Sequence, residues 1–574
     1  MKLSNLLLLA LAASLMLTAC SVPQNGNNES LSDAVEIVLD DNGIKVDGTL
    51  ASTDTRSDVY IANDIIYYES GKDFTYGEGD DSDAHSAEDA AKHTVVHITK
   101  PGTYSLSGTL SAGQIAVDLG ETAEKNPESV VTLLLNGVDI SCSVAPAVIF
   151  YNVYECSSSD TENATKEVDT SSAGANVIVA DGSHNVVNGS YVARIYKPGT
   201  VELNEDGTKV EDAKKLHKYD AAFYSKMSMN INGGSKNTGV LEINAQNEGL
   251  DSELHLTING GIINITSGND GINTNEDGVS VTTLNGGELN IKVNGKTGEG
   301  DGIDSNGWLV INGGKLTSEA CGFSMDGGID SDMGIHINGG TVIASGNMLD
   351  RISESNATYA VFNFSKFPGS GKYVLKNSEN KVIVEEDIEN SFTSLVIASP
   401  ELAEGDYTLW YNDTQLKGAV SENGGFGRGF GGGFGGGFSG GMRPDMGARP
   451  EGVNPPENFN GRQQRPENMP LPENFDGGNK GERPEGFGAN MPGRPEGFEG
   501  NMPERPEGFG GNKGERPEGF PDNFRENFGA QPDEKFASEF GMSMPSQAIE
   551  LSEIFPIKNG ANYFSLVGIT EEFL

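Results

Sequence analysis

The tripeptide Asn-Gly-Gly, preceded by Ile or Leu, recurs at Asn232, Asn259, Asn285, Asn312 and Asn338, with steps of 27, 26, 27 and 26 residues. A step of this length holds two or three short strands, and the segments between carry no 3.6-residue apolar period. Short β-branched runs broken by Gly, Asn and Asp fill the repeat. The pattern predicts stacked rungs of a parallel β-helix. Asn-Gly-Gly reads as a corner, since Asn and Gly tolerate left-handed backbone angles. Stacked Asn side chains can also hydrogen-bond from rung to rung.

A second motif, Gly-(Leu/Ile)-(Asp/Asn)-(Ser/Thr), starts at Gly249, Gly271, Gly302 and Gly328. It alternates like a strand. Leu250, Ile272, Ile303 and Ile329 point into the core, and Ser252, Thr274, Ser305 and Ser331 share that side as a hydroxyl ladder. The other face carries Asp251 and Glu253, then Asn273 and Asn275, then Asp304 and Asn306, then Asp330 and Asp332. Glu248, Asp270 and Asp301 precede the glycines at the entering corner, and Asp326 plays the same part in the last rung. The expected result is two outward acidic columns, with glycines leaving room beside them. On rungs about 4.8 Å apart like charges repel. Ca²⁺, which takes roughly 6–8 oxygen ligands, suits the column. The face has no His or Cys, which argues against zinc or iron. A solvated acidic face of turn-forming residues is the alternative.

The formal net charge of −45 excludes nucleic acid as a natural partner and favours divalent cations. Residues 1–20 form a lipoprotein signal peptide: an apolar run from Leu6 to Leu17, then Leu17-Thr18-Ala19-Cys20. Cys20 is the expected lipidation site. The chain is thus expected outside the bacterial cell, anchored to its membrane by that lipid. Cys142, Cys156 and Cys321 match no metal spacing; Cys142 and Cys156 either pair or are simply buried. Residues 21–90 read as an N-terminal tether and leading strands, and 91–421 as the β-helix. Residues 422–545 are Gly/Phe-rich and then repeat Arg-Pro-Glu-Gly-Phe every 11 residues from Arg483, a composition that predicts disorder. Residues 546–574 regain strand-like character and are able to pair back onto the fold.

Gly102-Thr103-Tyr104-Ser105-Leu106-Ser107-Gly108-Thr109-Leu110, Leu135-Asn136-Gly137-Val138-Asp139-Ile140, the Gly-Ile-Asp-Ser and Asn-Gly-Gly repeats, and Leu402-Ala403-Glu404-Gly405-Asp406-Tyr407 resemble the bacterial calcium-binding, carbohydrate-binding β-helix domain family. The likeness covers about residues 90–420. It implies a right-handed β-helix related in fold to pectate lyases, bound calcium, and affinity for cellulose-like or acidic plant polysaccharides. Asp251, Asn273, Asp304 and Asp330 sit where the family's calcium-facing repeats lie. The chain departs from the family at Asn273 and in a polar insertion near Tyr191 to His217.

Calcium on an open face bridges to uronate carboxylates of pectin-like glycans. Trp308, continuing the parity of Asp304 and Asn306, is a candidate sugar-stacking residue or a packed corner residue. Uronate elimination needs a base beside the cation, and Lys292, Lys296 and Lys315 all fall outside the outward motif. The expectation is therefore an all-β, calcium-dependent polysaccharide-binding lipoprotein without catalysis. A calcium-dependent uronate lyase and a structural surface adhesin are the alternatives.

Overall fold

The computed structural model describes residues 33–353, 355–365, 370–421 and 551–566. Cys20, the expected signal peptide and the Arg-Pro-Glu-Gly-Phe repeats lie outside the described residues. The chain is nearly all-β. Among the described residues, helix is confined to one turn at Ala87–Ala90 and a 3-10 turn at Ala123–Lys125. No helix there is long and apolar enough to cross a membrane.

Each repeat contributes three strands, and each strand pairs in parallel with its equivalent one repeat later. Glu248–Ser252, His255–Ile258 and Ile262–Ser267 are followed by Ile272–Thr274, Val281–Leu284 and Glu288–Val293. The first ladder runs from Thr94–Ile98 through Gly113–Asp118, Val148–Asn152, Ala221–Ser225, Glu248–Ser252 and Ile272–Thr274 to Ile303–Ser305. The second joins Ala175–Val179, Met229–Gly233, His255–Ile258, Val281–Leu284, Trp308–Ile311 and Gly334–Ile337. The third joins His184–Gly189, Val240–Ala245, Ile262–Ser267, Glu288–Val293, Lys315–Glu319 and Thr341–Gly346.

Alternation within these strands puts apolar side chains from every strand of a rung into a shared interior. Leu250, Ile272 and Ile303 from the first ladder meet Leu256, Leu309, Ile263 and Leu289 from the others in one continuous buried cluster. Each such side chain, fully removed from water, stabilises the fold by about 1.5–3 kcal/mol. Parallel register also aligns the corner amides. Asn259 Nδ2 donates to Asn232 Oδ1, Asn285 to Asn259, Asn312 to Asn285 and Asn338 to Asn312, each at 2.9 Å. At the corners of Asn259, Asn285, Asn312 and Asn338 the left-handed angle belongs to the second glycine, as at Gly261 (φ 93°) and Gly287 (φ 85°); the asparagines need none.

Strands begin at Val35, inside the 21–90 stretch expected to hold a tether and leading strands: Val35–Leu39 pairs in parallel with Gly102–Leu110, with Ile37 and Leu39 buried. At the far end Thr341–Gly346 turns to antiparallel pairing with Ser394–Ala398. There a separate aromatic core forms around Phe362, Phe392, Phe555 and Phe564. Phe555–Ile557 pairs with Gly405–Tyr411, and Ala561–Leu566 with Tyr359–Phe364.

The motif glycines have a role other than making room for an ion. A Cβ on Gly249 would lie 2.5 Å from Gly271 O and 2.3 Å from Ile265 Cγ2; on Gly271 it would lie 2.5 Å from Gly302 O and 2.2 Å from Ile291 Cγ2. The rungs stack too closely here for any side chain. Gly271→Ala should therefore lower stability by about 1–3 kcal/mol, read as a lower urea midpoint with an unchanged slope.

Candidate functional site

The first ladder brings the motif acids into one column. Tyr224, Asp251, Asn273 and Asp304 stand in direct register on consecutive strands. Asp330 extends the column, its backbone N–H donating to Ile303 O at 2.7 Å, and Asp332 N–H donates to Ser305 O at 3.1 Å. On the inner side Ser252, Thr274, Ser305 and Ser331 are fully buried. Thr274 Oγ1 and Ser305 Oγ lie 2.9 Å apart, and Ser331 Oγ donates to Gly307 O at 2.8 Å. These hydroxyls satisfy turn groups that would otherwise be stranded in the core.

The corner acids stack beside the column. Asp301 N–H donates to Asp270 Oδ1 at 2.7 Å, Gly327 N–H to Asp301 Oδ1 at 2.5 Å and Gly300 N–H to Asp326 Oδ2 at 2.6 Å. Each carboxylate thus takes one N–H from a neighbouring rung. At the lower end, carboxylate oxygens of Asp220, Glu248 and Asp251 lie within 4.8 Å of one another, and all three residues are buried.

That burial corrects the expected open face. Asp251 is 0% exposed, and of the motif acids only Asp332 is exposed. The polar insertion folds into the antiparallel hairpin Val192–Tyr196 with Lys215–Tyr219, which lies against this end of the column. Its Lys215 Nζ sits 3.2 Å from Glu253 Oε1, and Lys218 Nζ 2.6 Å from Asp220 Oδ2. Tyr219 packs edge-on against Tyr224, whose hydroxyl donates to Glu253. The polar insertion is thus a wall of the site.

Burial is the leading cause of the raised pKa at Asp220, Glu248, Asp251, Asp270, Asp301, Asp304 and Asp330. Glu248, Asp251 and Asp301 are pushed well above the carboxylate range, with neighbouring carboxylates adding to the effect. Asp270 rises to about 7, and Asp304 and Asp330 to about 8. Lys218 moves the other way from what burial alone would do: Asp220, with Glu248 and Asp251 nearby, outweighs desolvation and holds the ammonium charged.

Three oxygens in this region are buried without a hydrogen-bond partner: Glu248 Oε2, Asn273 Oδ1 and Asp330 Oδ1. Buried polar atoms are nearly always paired, so unpaired oxygens on the column and on the corner acids beside it mark a place where hard-oxygen ligands converge. Other motif residues are already engaged. Asn275 Nδ2 donates to both Asp251 oxygens at 2.9 and 3.1 Å, and Asn306 Nδ2 donates to Asn275 O at 2.9 Å.

Trp308 lies away from the column. It opens Trp308–Ile311 in the second ladder, paired with Val281 and Gly334, and is half-buried. The turn at Asn306-Gly307 breaks the parity that linked it to Asp304. Gly307 approaches so closely that a Cβ would lie 1.9 Å from Ser280 O. Lys292 and Lys315 are held by Glu389 and Glu386. The three cysteines are unpaired, with Cys142 and Cys321 buried.

Sequence reasoning missed Asp220, Lys218 and Asp350. Asp220 lies one rung below the first motif in Tyr219-Asp220-Ala221-Ala222-Phe223. An acid just before an apolar strand, one residue ahead of Ala221, which pairs with Glu248, was the available signal. Asp350 acts on Asp330 and Asp304 from a turn that carries no repeat.

These shifts set the pH dependence of the metal-stripped protein. The folded carboxyls of Asp304 and Asp330 hold protons between about 3.8 and about 8, where the unfolded chain has released them. Folding therefore binds protons in that window, and stability falls as pH rises through it. In chelator, urea midpoints should decline from pH 4 toward pH 8 and then level off. A rise over that interval contradicts the assignment.

Comparison with known proteins gives a family model, described as carbohydrate-binding domain-containing protein, that matches residues 92–360. That span holds the whole column from Asp220 to Asp350 and leaves out the segment before residue 92. No curated protein matches the chain. Among solved structures, the polysaccharide lyase-like protein from C. thermocellum, in its gadolinium derivative, is similar at 20% identity over 56% of this chain and 93% of that chain, with a TM-score of 0.31.

Proposed function

We propose that the chain is a calcium-dependent polysaccharide-binding protein whose three ladders close into a right-handed parallel β-helix. In this reading Cys20 carries a lipid that anchors it outside the bacterial cell, and the glycan is acidic, pectin-like, or cellulosic. The unpartnered oxygens of Glu248, Asn273 and Asp330, in a column of acids that burial drives toward protonation, carry the reading. The match to a carbohydrate-binding family model over residues 92–360 supports the ligand class.

Asp220, Glu248, Asp251 and Asn273 would hold one ion, and Asp270, Asp301, Asp304 and Asp330 further ions above it. Bound there, calcium supplies charge neutralisation and coordination positions for glycan oxygens. Asn275 orients Asp251, and Tyr224 with Lys215 orients Glu253, so these acids are fixed before any ion arrives. Lys218 favours binding over elimination: an amine must be neutral to take the C5 proton as a base, and the acids around Lys218 keep it protonated.

Retention on polygalacturonate or cellulose should be strong in calcium and abolished by chelator, with no unsaturated product absorbance on incubation. Product formation would instead establish the lyase, and calcium-independent failure to bind either glycan would leave the adhesin. Glu248→Gln should weaken calcium binding at least about ten-fold, roughly 1.4 kcal/mol. In chelator at pH 8 the same variant should be no less stable than the parent, because it removes a buried acid that repels its neighbours. Calorimetric titration and urea unfolding read the two effects separately.

A further inference from the structure

A second feature lies outside the acidic column. The segment Ile65–Tyr76 and the insertion residues Ile195–His217 face each other across a cleft of about 770 Å³, within the roughly 300–1,000 Å³ of small-ligand sites. Its walls are tied by backbone bonds: Tyr196 N–H donates to Tyr76 O at 2.8 Å, and Glu78 N–H to Arg194 O at 2.9 Å. Gly77 makes this approach possible, since a Cβ there would lie 2.2 Å from Arg194 O. The cleft is therefore built into the fold.

Its lining combines the half-buried rings of Tyr67, Tyr76 and Tyr196 with Glu69 and Asp73, and Leu216 at its edge is 44% exposed. Lys72 lies 5.2 Å from the Tyr76 ring centre and Arg194 5.8 Å from that of Tyr196, which holds both rings in place. Rings alternating with carboxylates suit a ligand that has apolar C–H faces and hydroxyl edges. Those are the surfaces of a pyranose. A lipid tail would strip water from the Glu69–Lys72 ion pair (2.8 Å) and from Asp73, which accepts from Thr75 Oγ1 at 2.6 Å, and a phosphate would meet two carboxylates.

Packed side chains also link the cleft to the column. His217, in its lining, has Nδ1 2.7 Å from Tyr219 Oη; Tyr219 packs on Tyr224 at 5.2 Å, and Tyr224 donates to Glu253. We propose that this cleft is a saccharide subsite in which Tyr67 and Tyr196 stack on sugar rings of the same polysaccharide chain that reaches the acidic column. The proposal rests on the glycan-binding reading above and adds contacts that need no metal. The Ile65–Tyr76 wall lies outside the family-matched residues 92–360.

The test is binding of polygalacturonate and cellohexaose, in saturating calcium, to the parent and to a Tyr67→Ala, Tyr196→Ala double variant. The double variant should bind at least about ten-fold more weakly, with calcium affinity and thermal midpoint unchanged. Tyr67→Phe with Tyr196→Phe should restore binding. Leu216→Asp, at an exposed edge position, should show a smaller loss without any effect on folding. Equal binding by parent, alanine double variant and Leu216→Asp overturns the subsite while leaving glycan binding intact. If the parent itself binds neither probe, the glycan-binding reading and the subsite both fail.

Discussion

Parallel stacking in register forces every side chain to meet its counterpart one rung above, about 4.8 Å away. The consequences depend on chemistry. Isoleucine above isoleucine buries apolar area, and asparagine above asparagine forms a chain of amide bonds, as in Asn232 through Asn338. Carboxylate above carboxylate does neither. The same repeat that builds the core therefore creates an electrostatic problem on its first ladder, and that problem is the source of the proposed function.

The protein relieves part of it internally. Backbone N–H groups from adjacent rungs reach Asp270, Asp301 and Asp326, Asn275 holds Asp251, and Lys218 neutralises Asp220. What remains is concentrated rather than dispersed. Burial under the insertion hairpin removes water as a screen, so the residual repulsion is large and the acids shift toward their protonated forms. Protons and hard divalent cations then compete for the same oxygens. In this account the insertion has two roles: it shields the lower end of the column, and its outer side forms the tyrosine-lined cleft.

Much of the architecture was legible because periodicity survives in sequence. The 26- and 27-residue steps located the corners, and strand alternation placed Leu250 inside and Asp251 on the acid face. The register Asp251, Asn273, Asp304 followed from motif spacing. Features without a repeat were not legible. Asp220 and Asp350 lie on segments that carry no motif, and the wall over Asp251 is made by a hairpin that sequence reading took for a polar departure. Trp308 was misplaced for a related reason: alternation predicts faces only until the chain turns, and the corner at Gly307 intervenes. The glycines were found, but their reason was not. Their need arises from the next rung's carbonyl and a core methyl, and spacing alone does not reveal either.

The claim that stands or falls first is that these columns share cations between rungs. Anomalous scattering from crystals grown in calcium tests it most directly. The account predicts peaks at about 2.3–2.6 Å from Glu248 Oε2, Asn273 Oδ1 and Asp330 Oδ1, each also touching an acid from an adjacent rung. A featureless map along the first ladder, with those three oxygens hydrogen-bonded to water, would contradict it.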